Sequence, residues 1–147
     1  MADLFFQTNP FLTNTALLIA RLFIGVCFIV HGLGKLGLVG SGNMGGFAGW
    51  LKSMGLPYAE LQARLAMGAE LLGGALITCG LLTRVGCALA GFTVLVAALI
   101  GHKGGGYLIT NTPPGHEYAL NLAVICLVLG LLGPGTFSLD WLLFAAV

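Results

Sequence analysis

The chain has 147 residues, of which 58% are hydrophobic and 7% charged, with a formal net charge of +1 and a mean hydropathy of +1.01. Soluble domains carry about a quarter charged residues, so this composition excludes an ordinary water-soluble globule. Six Lys and Arg residues spread along the chain also exclude the clustered basic face that nucleic-acid binding needs.

Residues 1–9 contain no Lys or Arg, and no A-x-A site follows the first apolar run. The chain therefore reads as lacking a cleavable signal peptide and as keeping its first apolar segment. That segment, residues 11–34, is the first of four of about spanning length; the others are residues 61–82, 85–101 and 118–132. Each approaches the ~20 residues that cross ~30 Å of hydrocarbon at 1.5 Å per residue. None alternates apolar and polar residues as a barrel strand would. The expected architecture is all-α: an integral membrane four-helix bundle forming a single domain over residues 1–147, multi-pass, with the lipid bilayer as its main partner.

The connections differ in character. Residues 35–60 are glycine-rich, yet Phe47, Trp50, Leu51 and Met54 recur at helical spacing with Lys52 and Ser53 off that face. This predicts a short amphipathic interfacial helix between spans one and two, broken by Gly55-Leu56-Pro57. Spans two and three are joined only by Thr83-Arg84, which predicts a tight antiparallel hairpin. Residues 102–117 hold Gly104-Gly105-Gly106 and Pro113-Pro114 and read as an irregular loop. Lys35, Lys52, Lys103 and Arg64 lie on the side of connections one and three, against Arg84 on the other, which favours both termini outside.

Ionisable groups within the spans carry the functional argument, because charge in hydrocarbon is costly and turns towards the bundle interior or a wet cavity. Arg21, Gly25, Phe28, Gly32 and Lys35 share one face of span one, with His31 at its edge. Arg21 lies ~15 Å from the loop-one end. Glu70, nine residues after Leu61 on the descending helix, falls at nearly the same depth, so Arg21 and Glu70 are expected to form an ion pair. His31, Lys35, His102, Lys103, His116, Glu117 and, one turn deeper, Asn121 gather at the loop-one and loop-three end. A polar pocket there would exchange protons or hydrogen-bond a carbonyl-bearing ligand; the plain alternative is interfacial residues reaching for headgroups. The expected ligand-binding set is His31, Lys35, Glu70, His102, Glu117 and Asn121, with no catalytic residue assigned. At the other end Arg84 and Asp140 are expected to clasp the bundle as a second structural ion pair.

Cys27, Cys79, Cys87 and Cys126 all fall in apolar runs without a C-x-x-C pair, so they read as buried thiols. His31 and His102 could hold a haem axially, but satisfied polar histidines are the commoner outcome and no metal motif is present. The expectation is no metal and no tightly bound cofactor. Ala69/Gly73 and Gly86/Ala90 have the small-xxx-small spacing that lets helices approach closely.

With these residues placed, the chain resembles the DoxX family of small four-helix bacterial membrane proteins. The likeness rests on Arg21 with Gly25 and His31-Gly32-Leu33-Gly34-Lys35-Leu36, then Trp50-Leu51, Gly55-Leu56-Pro57 and Glu70-Leu71-Leu72-Gly73-Gly74. It continues through Gly80-Leu81-Leu82-Thr83-Arg84, His102, Gly115-His116-Glu117-Tyr118-Ala119-Leu120, Gly133-Pro134-Gly135 and Ser138-Leu139-Asp140. The resemblance implies a cell inner (plasma) membrane protein and suggests a quinone-linked redox role, as a membrane subunit of a quinone-dependent oxidoreductase; family alone does not prove chemistry. In that reading His31, Lys35 and Glu117 would meet a quinone carbonyl, and a redox partner subunit or soluble donor would supply electrons. The alternative is a non-catalytic scaffold or a small-solute or proton carrier. A homo-oligomer is compatible with either.

Overall fold

The computed structural model describes residues 8–145, so the signal-peptide reading rests mostly on residues outside the described ones. The first helix, α1 (Pro10–Leu36), starts where Asn9 accepts a hydrogen bond from the Phe11 amide at 2.9 Å. Pro10 follows at a position where its missing N–H costs nothing. It ends at Gly37, whose φ of +78° suits a residue without a Cβ. The interfacial helix expected in the first connection is α2 (Met44–Ser53), capped by Asn43 accepting from the Gly46 amide at 2.7 Å. Then come α3 (Ala59–Cys79) and α4 (Thr83–Val96), which runs on as a π-turn over Ala97–Gly101. The long fifth helix is α5 (Glu117–Leu132), and a six-residue α6 (Leu139–Phe144) closes the described chain.

All regular structure among the described residues is helical. Helix α1 packs on α3, α3 on α4 and α4 on α5, and α5 touches α1 in turn. Helix α1 and the helix running from Thr83 to Gly101 are long and apolar enough to cross a membrane; α5 is apolar but shorter, at 16 residues. Helix α3 interrupts its apolar sequence with Glu60, Arg64 and Glu70.

Small residues set the helix spacing. A Cβ on Gly73 would lie 3.0 Å from the Gly86 carbonyl oxygen and 3.1 Å from the Ala90 Cβ, so α3 and α4 meet at the two small-residue pairs read from the sequence. Gly25 of α1 and Gly74 of α3 face one another still more closely, a Cβ on either falling 2.6 Å from the other's carbonyl oxygen. The buried face of α1 is Leu17, Arg21, Gly25, Phe28 and Gly32, which is the expected stripe moved one turn towards the N-terminus.

Two local expectations change. The hairpin between α3 and α4 turns at Gly80, Leu81 and Leu82, and Thr83 already belongs to α4. Asp140 explains the shift: its carboxylate accepts from the Leu82 and Thr83 amides at 2.6 and 2.9 Å and from Thr83 Oγ1 at 2.9 Å. It thereby satisfies donors that a helix N-terminus leaves open. The cysteines also divide: Cys87 and Cys126 are buried, Cys27 is half-buried, and Cys79 faces outward.

Candidate functional site

The register of α1 against α3 decides which charges meet. A Cβ on Gly32 would run into the Leu71 side chain, and one on Gly25 into Thr78, so Glu70 lies level with the last turns of α1. Lys35 Nζ bonds both Glu70 carboxylate oxygens, at 2.7 and 2.5 Å. This is the one salt bridge among the described residues, with side-chain exposures of 18% and 10%. The Arg21–Glu70 pair is therefore corrected to Lys35–Glu70. Counting depth from the start of α3 fails because that helix begins well beyond the end of α1. Its first two turns serve α2 instead, Ala63 packing with Ala48 and Leu51.

Arg21 sits at the opposite end. It is 1% exposed, it donates from Nη2 to the Phe137 carbonyl, and its Nε and Nη1 have no hydrogen-bond partner among the described residues. A helical side chain slants towards its own N-terminus, which carries the guanidinium away from Glu70 and up against Gly80. The Arg84–Asp140 pair is likewise corrected. Asp140 is taken by the N-terminus of α4, and Arg84 Nε donates to the Gly130 carbonyl at 3.2 Å.

Around the Lys35–Glu70 pair stands an aromatic array that the sequence reading missed. His31 stacks on Tyr118 with ring centres 5.9 Å apart and planes 24° apart, and His102 meets the same ring edge-on at 5.9 Å and 86°. Tyr118 thus links the two histidines. The sequence marks it only as a phenol next to the acid Glu117. His102 follows directly on the π-turn, a helix irregularity common at functional sites, and its Nδ1 lies 3.1 Å from the Pro114 carbonyl.

Helix α2 roofs this end. The Lys35 ammonium lies 4.9 Å from the centre of the Phe47 ring, within cation–π range. Phe47 stacks on Trp50 at 5.9 Å, and the Trp50 ring packs where Gly101 has no side chain, 2.7 Å from the position a Cβ would take. Four of the six expected ligand-site residues thus lie at this end with their side chains in or beside the array: His31, Lys35, Glu70 and His102. The other two depart from the expectation. Glu117 accepts from the Ile109 amide at 3.1 Å and closes its own loop. Asn121 is exposed. His116 packs edge-on against Tyr107 at 5.8 Å in the same loop, and Lys103 is exposed.

Chemically, the arrangement offers a buried acid and a cation in direct contact, with an imidazole–phenol–imidazole row nearby. Such a set can donate hydrogen bonds to a carbonyl, take up a proton, and lay a flat ring against aromatic faces.

The DoxX family model matches residues 16–103, which includes most of α1, all of α2 to α4, the π-turn and His102. The chain is similar to the protein of Escherichia coli (strain K12) named Inner membrane protein YphA, 33% identical over 132 residues, covering 84% of this chain and 87% of that one. No solved structure matches it. The family model spans the resemblance residues from Arg21 to His102, and the relative covers most of the chain: the chain belongs to the DoxX family.

Proposed function

We propose that the chain is a multi-pass inner-membrane protein, its four long helices crossing the bilayer as a bundle. The outward faces support this reading: Phe23, Phe92 and Leu131 are 76%, 70% and 72% exposed. Apolar side chains presented all round a bundle suit lipid as solvent. The relative's name, an inner membrane protein, points the same way.

Within that frame the α1/α3/α5 end is a binding site for a quinone headgroup, in a membrane subunit of a quinone-linked redox system. One observation carries this: the Lys35–Glu70 pair, its acid buried and its ammonium half-buried, lies at the same end as the His31–Tyr118–His102 array. The residues fit a planar dicarbonyl ring. His31 and Tyr118 supply flat faces, Lys35 and the imidazoles supply hydrogen-bond donors, and Glu70 supplies a proton acceptor whose charge the ammonium otherwise balances. A bound quinone would supply two-electron, two-proton chemistry, and the electrons would come from a partner subunit or soluble donor. The competing reading, a non-catalytic scaffold, draws on the direct Lys35–Glu70 bond, which satisfies both groups without a ligand.

Lipid extraction and mass spectrometry of the purified protein should detect co-purified quinone, and a short-chain ubiquinone should bind saturably. Tyr118→Leu and Glu70→Gln should each weaken that binding at least tenfold, while Glu117→Gln leaves it unchanged. Equal binding by all three variants would refute the site and favour the scaffold.

A further inference from the structure

Arg84, the second residue of α4, is exposed at the end of the bundle opposite the candidate site. Its Nε is fixed on the Gly130 carbonyl, and its guanidinium lies beside Gly133, Nη2 being 3.4 Å from where a Cβ would stand. Asp140 lies nearby but spends its oxygens on Leu82 and Thr83. No carboxylate within the described residues forms a salt bridge with Arg84.

From Arg84 the outward ridge of α4 continues through Ala88 to Phe92, at i, i+4 and i+8. An apolar groove runs along each side of that ridge. One, of about 470 Å³, lies between α4 and α5 over Cys87, Gly91 and Cys126. The other, of about 620 Å³, passes between α4 and α3 past Ala69, Leu89 and Thr93. Both begin at Arg84 and reach Phe92, and Ala88 is small enough to leave both open. On the outer side of Arg84, Trp141 and Phe144 of α6 line a third recess with it, and Trp is a residue enriched where a bilayer meets water.

A single cation from which two apolar troughs diverge is the shape of one phosphate carrying two hydrocarbon chains. We propose that Arg84 and its flanking grooves bind an anionic diacyl phospholipid, phosphate on the guanidinium and one chain on each side of Phe92. A single-chain amphiphile would leave one groove empty. The proposal rests on the bilayer placement above and is independent of the quinone site.

Native mass spectrometry from detergent, with equal phosphatidylglycerol and phosphatidylcholine, tests it. The wild-type chain should retain one phosphatidylglycerol in preference to phosphatidylcholine. Arg84→Gln should lower that preference about fivefold, the worth of one cation at a lipid surface. Arg84→Lys, which keeps the charge, should retain most of it. Ala88→Phe, which fills both grooves, should reduce retention of both lipids. Unchanged tryptophan fluorescence and helicity would show that each variant is folded. Equal binding of the two lipids by the wild type, or an unchanged preference in Arg84→Gln, overturns the proposal. So does a chain–chain dimer that survives delipidation and disappears in Ala88→Phe, since a second copy would then fill the grooves. Release of the chain from membranes by alkaline carbonate would overturn the bilayer placement and the lipid site together; retention with equal lipid binding overturns the lipid site alone.

Discussion

Replacing Lys35 by methionine tests the corrected ion pair directly. The substitution keeps the apolar stem and removes the ammonium, leaving the Glu70 carboxylate buried among helices with its partner gone. Lys35 and Glu70 are 18% and 10% exposed, and the ammonium touches both carboxylate oxygens. Solvent therefore screens little, and stranding one charge of such a pair costs about 3–5 kcal/mol. Loss of the contact with Phe47 adds about 0.5–1 kcal/mol. The reverse change, Glu70→Leu, should cost less, about 1–2 kcal/mol, because Lys35 ends α1 and its long stem can carry the charge to the headgroups. The double variant should lie within about 1 kcal/mol of wild type, since a well-packed apolar pair replaces an ion pair at little net cost. Stability is read as reversible unfolding in mixed micelles, followed by the fluorescence of Trp50, which sits on Gly101 above this pair. A coupling energy below about 0.5 kcal/mol, with the two single losses simply adding in the double variant, would refute the pairing.

The other consequences follow from the same geometry. Arg21→Met and Glu70→Leu should be additive within about 0.5 kcal/mol in a double-mutant cycle, because these residues occupy opposite ends of the bundle. Asp140→Ala removes three hydrogen bonds to the start of α4 and should destabilise by about 2 kcal/mol, with amide exchange accelerated at Leu82 and Thr83. Gly80→Ala should cost more than about 2 kcal/mol, measured in the same unfolding assay, since it meets both a φ of +66° and the Arg21 guanidinium. Gly101→Ala should push Trp50 off the π-turn, seen as a shifted emission maximum at a cost of about 1–3 kcal/mol.

The helices were legible because their signals are local. The apolar runs and the Gly55-Leu56-Pro57 break each act within a few residues of themselves. The Phe47, Trp50, Leu51 and Met54 spacing placed α2 for the same reason. What the sequence hid is the register between helices, which no local signal encodes. The Arg21–Glu70 expectation took the start of α3 as the membrane-side end of a span, whereas those turns extend past α1 to hold α2. One misplaced offset of about two turns moved a whole ion pair. Tyr118 is hidden for a related reason: a phenol in an apolar helix gains meaning only when two histidines from other elements arrive beside it. Asn121 and Glu117 share a helical spacing, but spacing does not say which way the shared face looks.

The two ends of the bundle treat charge differently. At the loop-two end the charged groups are bonded to the chain's own backbone: Arg21 to Phe137, Arg84 through Nε to Gly130, and Asp140 to the amides of Leu82 and Thr83. A backbone partner does not change its protonation or leave, so these contacts fix the fold. At the other end Lys35 and Glu70 bond each other across two helices, so a ligand that takes one of them has to compensate the other. Entry to that pair is limited by packing. The close approach of Gly25 to Gly74 leaves α1 and α3 no room to slide, so access must come from elsewhere. The ten-residue α2 presents Phe47 to Lys35 and Trp50 to Gly101, and glycine-rich chain precedes it. If the site takes a ligand, α2 is the element that has to lift, and Gly101→Ala, by loosening Trp50, should speed ligand binding even as it lowers stability.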